Sequence, residues 1–327
     1  MFELTFLGTS ASAPSIQRSL PSLMIRYAEN RFLVDCGEGT QRQILTSGLG
    51  FRSLNKILLT HGHLDHILGV AGLLSTMIRW ESMDGIHLYG GRETLARVND
   101  LVTKIVCRGT RVPSTIHFNE VDPDRPILET ADFRLSCFPV VHRGTDSFGY
   151  IFERKSRRPF LPERAEALAI PPGPWRRELA LGNSVTLPDG RIISGSEVLG
   201  DEIPGTRLVV VGDCGEPRRL VDIVRGADAL VIEATYLEED ADMAKHYSHM
   251  TARMSAQLAK EAGVGQLFLT HVSRRYRDRN ILREAAAVFP NTVVARDFDT
   301  FRVPKSAEAS DKLSESGRPS PAISNNQ

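Results

Sequence analysis

The chain contains few cysteines, and none of them is paired at a metal-binding or redox spacing. Cys36, Cys107, Cys137 and Cys214 are the four cysteines among 327 residues, and no Cys-x-x-Cys sequence occurs. This pattern argues against a disulfide framework and against a zinc site built from thiolates. It is typical of proteins in a reducing compartment.

The sequence also lacks an excess of charge of either sign, and it lacks long apolar runs. Lys plus Arg and Asp plus Glu both number 40, so any attraction for nucleic acid must be local. No apolar stretch approaches bilayer length, and the strand-like start MFELTFLGTS leaves no room for a signal peptide. We therefore expect a cytoplasmic protein with no membrane partner.

The chain does contain a regular alternation of strand and helix patterns, which predicts an α/β fold. Runs of β-forming residues predict the strands, and apolar residues at helical spacing, in two cases ended by Gly48 or Gly263, predict the helices. The predicted strands are 2–8, 23–28, 31–37, 56–59, 86–90, 115–121, 132–139, 147–153, 207–213, 229–234 and 266–271, and the predicted helices are 39–48, 67–78, 92–106 and 251–262.

Two stretches depart from this alternation. Residues 154–205, called the arm below, contain the turn-forming sequences IPPGP and LPDGR and interrupt a domain that otherwise spans residues 1–303. Residues 153–178 carry seven basic side chains against four glutamates, which is either a solvated face or a binding surface. Residues 304–327 are rich in Ser, Pro and charge and contain no aromatic residue, which predicts a disordered tail without a function.

The run THGHLDHILG at residues 60–69 is the most informative stretch of the sequence. His61, His63, Asp65 and His66 lie within six residues of a chain that has only nine histidines. The run follows the strand pattern KILL and precedes a helix pattern, and open α/β sheets place their chemistry where a strand is followed by a helix. Because divalent zinc, manganese and iron accept neutral imidazole and carboxylate ligands, the run predicts a metal site.

Two metal ions need more ligands than one turn provides, and later strands supply three more. His142 follows FPVV, Asp213 follows LVVVG and His271 follows LFLT, so each is a polar residue directly after β-forming residues. The expected ligands are His61, His63, His142 and Asp213 for one ion and Asp65, His66, Asp213 and His271 for the other, with Asp213 as the bridge. Three histidines lack such a placement and are interpreted as structural: His87, His117 and His246.

The run matches the signature His-x-His-x-Asp-His of the metallo-β-lactamase superfamily without exception, and within it the chain resembles the ribonuclease Z family. The resemblance spans residues 2–303 and rests on FLGTSASAPSIQR, DCGEGTQRQ, PPGP, DGRIISG, GDC, HMT and THVSRRY. Three positions depart from the family's usual residues, with Ser19 in place of Asn, Met250 in place of Ser and Cys214 in place of Thr. None of them removes a predicted metal ligand.

The resemblance implies a four-layer αββα sandwich with two zinc ions per subunit at one edge of the paired sheets. It implies a zinc-dependent phosphodiesterase, an endoribonuclease that removes the 3′ trailer from precursor tRNA by attack of hydroxide on phosphorus. Asp65 is then the carboxylate that accepts the water's proton. His249, otherwise a helix-capping histidine, is the candidate proton donor to the leaving 3′-oxygen. Loop 14–18, which ends at Arg18, and Arg275 would contact the RNA near the cleaved phosphate.

The same resemblance implies a role for the arm. A structured RNA is bound mainly through its phosphates and its shape, so a protrusion with Arg and Lys side chains can hold the body of the precursor tRNA. In this family the arm of one subunit serves the active site of its partner, which implies a homodimer.

Other functions on the same scaffold stay open. The main alternative is a hydrolase of small phosphodiesters, and cleavage of precursor tRNA as against a small diester would separate the two. A lactamase is disfavoured because Asp213 stands where those enzymes commonly use Cys. A flavodiiron redox module is disfavoured because His63 stands where those proteins place Glu. A non-catalytic RNA-binding relative is disfavoured because such relatives lose ligands that this chain keeps.

Overall fold

The first of two facing β sheets is built mainly from the N-terminal half of the chain. The computed structural model describes residues 1–79, 85–109, 113, 115–144 and 146–303, and the predicted tail 304–327 lies outside them. The strands are β1 (Glu3–Gly8), β2 (Ser22–Tyr27), β3 (Asn30–Val34), β4 (Leu54–Leu58), β5 (Ile86–Gly90), β6 (Ile116–Glu120) and β16 (Thr300–Arg302). Their order is β16-β1-β2-β3-β4-β5-β6, antiparallel from β16 to β3 and parallel from β3 to β6.

The second sheet has the same number of strands and is built from residues 128–294. Its strands are β7 (Leu128–Glu129), β8 (Phe133–Val140), β9 (Ser147–Arg154), β12 (Thr206–Val210), β13 (Ala229–Glu233), β14 (Gln266–Thr270) and β15 (Thr292–Val294). Their order is β15-β14-β13-β12-β9-β8-β7, parallel from β15 to β12 and antiparallel from β12 to β7. Strands β8, β12, β13 and β14 therefore all end at one edge of the sheet.

Helices cover the outer face of each sheet, which confirms the predicted four-layer αββα sandwich. Over the first sheet lie α1 (Thr40–Thr46), α2 (Leu64–Ile67), α3 (Gly69–Arg79) and α4 (Arg92–Asp100), the last continued by π-helical turns at Leu101–Val106. Over the second lie α8 (Val221–Val224), α10 (Ala252–Glu261) and α11 (Asp278–Ala286), while α9 (Ala241–His246) and the 3₁₀ turns Pro217–Leu220 and Glu238–Asp240 lie in connections.

The strands bury side chains on both faces. In β2, Leu23 and Ile25 face the core between the sheets, whereas Met24 faces the helices outside, because successive side chains of a strand point to opposite faces. The core between the sheets is rich in aromatic rings, among them Phe2, Phe6, Phe32, Phe133, Phe152 and Phe268. This double burial holds the strand ends in fixed positions, and with them the polar residues that follow.

The arm is a small folded unit inserted between β9 and β12. It contains α5 (Pro162–Ala167), α6 (Pro174–Ala180), β10 (Val185–Thr186), β11 (Ile192–Ile193) and α7 (Gly195–Val198). The sequence pattern does not predict these elements, because each is too short to show a periodicity. They share a separate core made of Ala165, Ile170, Leu179, Leu187, Ile193 and Val198.

The other predicted elements occur with shorter bounds or local breaks. The predicted strand 31–37 ends at Val34, since Asp35 takes a left-handed backbone conformation with φ of 59° and leads the chain out of the sheet. The predicted helix 67–78 begins earlier, as α2 and α3, and the predicted helix 251–262 begins after Thr251, whose side chain caps α10 through the amide of Met254. Within the described ranges no helix has the length and apolar character needed to cross a membrane.

Candidate metal centre

All seven predicted metal ligands lie together at one edge of the sandwich. This edge, called the carboxyl edge below, is where β3, β4, β8, β12, β13 and β14 end. The turn after β4 carries His61, His63, Asp65 and His66, and the segments after β8, β12 and β14 carry His142, Asp213 and His271. The three histidines interpreted as structural, His87, His117 and His246, take no part in the ligand groups found among the described residues.

Four side chains form a first ligand group around a common point. Nδ1 of His63 lies 2.9 Å from Nε2 of His61 and 3.3 Å from Nε2 of His142. Oδ2 of Asp213 lies 3.7 Å from Nε2 of His61 and 3.7 Å from Nε2 of His142. Three imidazoles and one carboxylate at these separations can hold a tetrahedral ion such as zinc.

A second ligand group shares Asp213 with the first. Oδ1 of Asp213 lies 3.6 Å from Nε2 of His66 and 3.4 Å from Nε2 of His271. Oδ2 of Asp65 lies 3.8 and 3.6 Å from the same two nitrogens. Asp213 thus directs one carboxylate oxygen toward each group, which is the geometry that a bridging ligand requires.

The donor atoms of the second group fit a cation. Among the described residues, Oδ1 of Asp213, Nε2 of His66 and Nε2 of His271 are buried side-chain atoms with no hydrogen-bond partner. A buried polar atom without a partner costs about 1–3 kcal/mol, so native proteins keep very few of them. One divalent cation would satisfy all three atoms, and the residues present therefore fit a two-metal centre.

The electrostatics differ between the two groups. Burial lowers the pKa of His63 to about 4 and holds the pKa of His61 well below its usual range, so both imidazoles are neutral at pH 7, as metal ligation requires. Burial also lowers the pKa of His66, but Asp213 and Asp35 outweigh it and raise that pKa well above its usual value. Three carboxylates, those of Asp35, Asp65 and Asp213, lie within 3.8 Å of the His66 ring nitrogens, and their negative charge favours a cation in the second group.

Hydrogen bonds from the fold orient the ligand rings through their other nitrogens. Such bonds fix the tautomer and the direction of each ring before a metal binds. The partners are Thr60 Oγ1 for His61 at 3.0 Å, Asp35 Oδ2 for His66 at 2.7 Å, the carbonyl of Ser248 for His142 at 2.7 Å and Thr235 Oγ1 for His271 at 2.8 Å.

Two carboxylates that were not predicted from the sequence also belong to this centre. Asp35 binds His66 and also accepts from the amide of Thr60 at 2.8 Å. Glu233 is fully buried at the end of β13 and binds His249. Asp35 comes directly after a run of β-forming residues, and Glu233 stands at the end of another. The criterion that predicted Asp213, a polar residue at the end of a strand, would therefore have predicted both.

His249 lies beside the metal ligands. Its Nδ1 lies 3.0 Å from Oε2 of Glu233 and 3.8 Å from Oδ2 of Asp213, and its ring stacks near that of His271 with 5.4 Å between the ring centres. Burial lowers the pKa of His249, but Glu233 and Asp213 outweigh it and raise this pKa to about 9. The bond to Glu233 through Nδ1 leaves Nε2 available to donate a proton.

The structure places the two predicted RNA-contacting arginines in different surroundings. Arg18 is buried, and its guanidinium donates to Oδ1 of Asp278 at 2.7 Å and to the carbonyl of Ala295 at 2.7 Å. Arg275 is exposed in the segment after His271. Arg275 is therefore accessible to a ligand, whereas Arg18 is engaged within the fold and holds the loop that it ends.

Comparisons with known proteins agree with this site. A family model described as Beta-lactamase superfamily domain matches residues 182–272, and one described as Anti-Pycsar protein Apyc1 matches residues 2–158. The ribonuclease Z of Bradyrhizobium diazoefficiens is 48% identical over 299 residues, which cover 91% of this chain and 99% of that protein. The chain belongs to the ribonuclease Z family of the metallo-β-lactamase superfamily.

Further members of the ribonuclease Z family align over nearly their full length. The enzyme of another Bradyrhizobium species is 49% identical over 303 residues, which cover 93% of this chain and 100% of that protein. Among solved structures, the short form of human tRNase Z has a TM-score of 0.62 at 24% identity and covers 93% of this chain and 100% of its own. That structural similarity shows the shared metallo-β-lactamase fold.

Proposed function

We propose that this protein is a zinc-dependent endoribonuclease that removes the 3′ trailer from precursor tRNA. The observation that carries the proposal is the complete pair of ligand groups, bridged by Asp213, in a chain that aligns with ribonuclease Z over more than 90% of its length. The four cysteines are free thiols, which supports a location in the reducing cytoplasm.

The first ligand group would hold one zinc ion and the second group the other. Two divalent ions at these positions supply Lewis acidity to the phosphoryl group and make a water molecule nucleophilic at neutral pH. The protein's own part is to fix the ligands in place, and Asp35, Thr60 and Thr235 do so from outside the two groups.

In this proposal Asp65 orients and deprotonates the attacking water. Its Oδ2 accepts the backbone amide of Ser12 at 3.0 Å, which fixes the carboxylate at the mouth of the site. Burial raises the pKa of Asp65, but His271 and His66 outweigh it and hold that pKa well below its usual range. Asp65 is therefore ionised at neutral pH, the state in which a carboxylate can accept a proton.

The arm leaves the sandwich at the edge opposite the metal ligands, which supports a homodimer. β9 runs from Ser147 at the carboxyl edge to Arg154, and β12 runs back from Thr206. Because a strand advances about 3.3 Å per residue, β9 places the base of the arm roughly 20–25 Å from the metal ligands of its own subunit. In a homodimer the arm of one subunit would hold the RNA that the other subunit cleaves.

Several basic side chains of the arm are fixed by backbone carbonyls. Arg158 Nε donates to the carbonyl of Gly200 at 2.9 Å. Arg164 Nη1 donates to the carbonyl of Leu199 at 2.9 Å. Because a guanidinium has five N–H donors, each group keeps its charge and other donors at the surface. The arm thus presents ordered cations, which reduces the conformational entropy lost when RNA binds.

The direct test is cleavage of a precursor tRNA with a 3′ extension. We expect the purified zinc-loaded protein to release the trailer as one fragment and to leave a tRNA that ends in a 3′-hydroxyl. Sequencing of the new ends gives the position, and a small phosphodiester serves as the parallel substrate. Hydrolysis of the small diester without any cleavage of precursor tRNA would favour the small-phosphodiester hydrolase instead.

Removal of the arm should separate RNA binding from the chemistry. Phe160 and Leu199 pair across the base of the arm, so a short Gly/Ser linker can replace residues 161–198 and remove the arm's separate core as a unit. We expect the KM for precursor tRNA to rise by about tenfold or more and the salt dependence of binding to weaken, because fewer counterions are released. Zinc content and hydrolysis of a small diester should persist, since all seven ligands lie outside the replaced span.

Titration of RNA binding at several salt concentrations provides the measurement, with zinc content as the control for folding. A variant that keeps its zinc and cleaves precursor tRNA with an unchanged KM would show that the arm does not hold RNA.

A further inference from the structure

An exposed tyrosine and an exposed arginine face each other beside the metal ligands. The guanidinium carbon of Arg143 lies 5.4 Å from the centre of the Tyr247 ring, in the geometry of a cation–π contact. The side chain of Tyr247 is 38% exposed, and within the described part of the chain no carboxylate forms an ion pair with Arg143. The proposed mechanism of metal-dependent cleavage uses neither side chain.

The backbone fixes this pair relative to the metal centre. Arg143 directly follows the ligand His142, and the carbonyl of Ser248, next to Tyr247, accepts from Nδ1 of that histidine at 2.7 Å. The amide of His249 also donates to the carbonyl of Ala244 at 2.8 Å, which closes the turn that carries Tyr247. A ligand on the pair would therefore be held at a constant distance from the reacting phosphate.

The turns that carry the pair adopt an unfavourable backbone conformation. Arg143 has φ of 41° and Ser248 has φ of 55°, in the left-handed region that residues other than glycine rarely occupy. Such conformations persist where the surrounding contacts impose them, and they occur frequently at ligand sites. Here they direct an aromatic ring and a guanidinium to the surface at the carboxyl edge.

We propose that Arg143 and Tyr247 form a stacking platform for an unpaired nucleobase of the RNA substrate. Aromatic rings and guanidinium planes are the groups on which proteins stack the bases of single-stranded RNA, and every base offers a face for this contact. The proposal rests on the proposed function, because it takes the substrate to be an RNA strand with an unpaired base beside the cleaved phosphate. The platform thus specifies that the strand at the cleavage site is single-stranded.

The position of the platform selects one nucleotide. Arg143 follows His142, Tyr247 lies two residues before His249, and the ring centres of these two histidines are 5.0 Å apart. Because His249 is the proposed donor to the leaving 3′-oxygen, we place the platform on the leaving-group side of the phosphate. The nucleotide whose ribose carries that oxygen is the last one retained in the tRNA. We therefore assign its base, rather than the first base of the trailer, to the Arg143–Tyr247 platform.

The test pairs an abasic substrate with Tyr247 variants. For wild-type protein, removing the base of the last retained nucleotide should lower kcat/KM for precursor tRNA by about tenfold or more, as expected for loss of one base–aromatic stack. The variant Tyr247→Ala should lose a similar factor on the intact substrate and be indifferent to removal of that base. Tyr247→Phe should retain most of the activity, because it keeps the ring.

The control variant is Arg52→Ala, since Arg52 is exposed in the turn before β4, at the edge opposite the metal ligands. We expect Arg143→Ala to lower kcat/KM by a few-fold more than Arg52→Ala. Equal losses of Tyr247→Ala on precursor tRNA and on a small diester would overturn the platform in favour of a structural role. If the wild-type rate falls when the first trailer nucleotide is abasic, and not when the last retained nucleotide is, the assignment of the retained base to the platform is wrong.

The platform and the proposed function fail in different ways. Normal wild-type cleavage of precursor tRNA together with an unchanged Tyr247→Ala variant would contradict the platform alone. Absence of cleavage of intact precursor tRNA by the zinc-loaded wild-type protein would contradict the proposed function, and the platform with it.

Discussion

Replacement of Asp213 by alanine should remove metal from both ligand groups. Its Oδ2 faces His61 and His142, and its Oδ1 faces His66 and His271. Without this carboxylate each group keeps three ligands, and the negative charge that offsets two cations is reduced. We expect less than one tightly bound ion per chain after dialysis, and a loss of hydrolysis of at least about 10³-fold on precursor tRNA and on a small diester.

Elemental analysis after dialysis measures this effect, with Asp222→Ala as the matched control because Asp222 is exposed, forms an ion pair with Arg225 and is not one of the ligands. Burial raises the pKa of Asp213, but His271 and His66 outweigh it and hold that pKa well below its usual range, so the wild-type bridge is ionised at neutral pH. Retention of two tightly held ions in Asp213→Ala would contradict the bridging assignment.

Replacement of His249 by alanine should impair cleavage of RNA without loss of metal. Glu233 fixes the imidazole through Nδ1 and holds it protonated, so Nε2 can donate to the leaving 3′-oxygen. A general acid typically contributes 10²–10⁴-fold, and we expect kcat for precursor tRNA to fall by roughly 10²-fold or more. A nitrophenyl phosphodiester should lose much less, because its leaving group departs without a proton.

The control for His249→Ala is His117→Ala, which removes an exposed histidine of β6 that is not one of the metal ligands. Zinc content of both variants should equal that of the wild type. If His249→Ala loses the same factor on the nitrophenyl substrate as on precursor tRNA, the histidine acts through the structure of the site and not as the acid.

The sequence by itself predicted the alternation of strands and helices and the residues of the two ligand groups, whereas the four-layer arrangement was implied by the resemblance to the metallo-β-lactamase superfamily. The strands and the longer helices follow from patterns among near neighbours, which is why their existence is predicted well and their ends less well. His61, His63, Asp65 and His66 lie within one turn, so their proximity needs no knowledge of the rest of the chain. The later ligands were found because chemistry in such sheets gathers at strand ends.

The short elements of the arm could not be predicted in the same way. Helices of six or seven residues such as α5 and α6 show less than two turns of a pattern, and their stability comes from a shared core that forms only when the unit closes.

Contacts between distant segments decided the rest, because they depend on the packing of the whole sandwich. The resemblance implied an RNA contact for Arg18, and only the structure shows that its guanidinium binds Asp278, which lies 260 residues away in the chain. Glu233 and His249 likewise meet only because β13 and the turn before α10 end at the same edge. The tertiary structure alone also placed the arm at the edge opposite the metal ligands, since antiparallel β9 carries the chain away from the site before the arm begins.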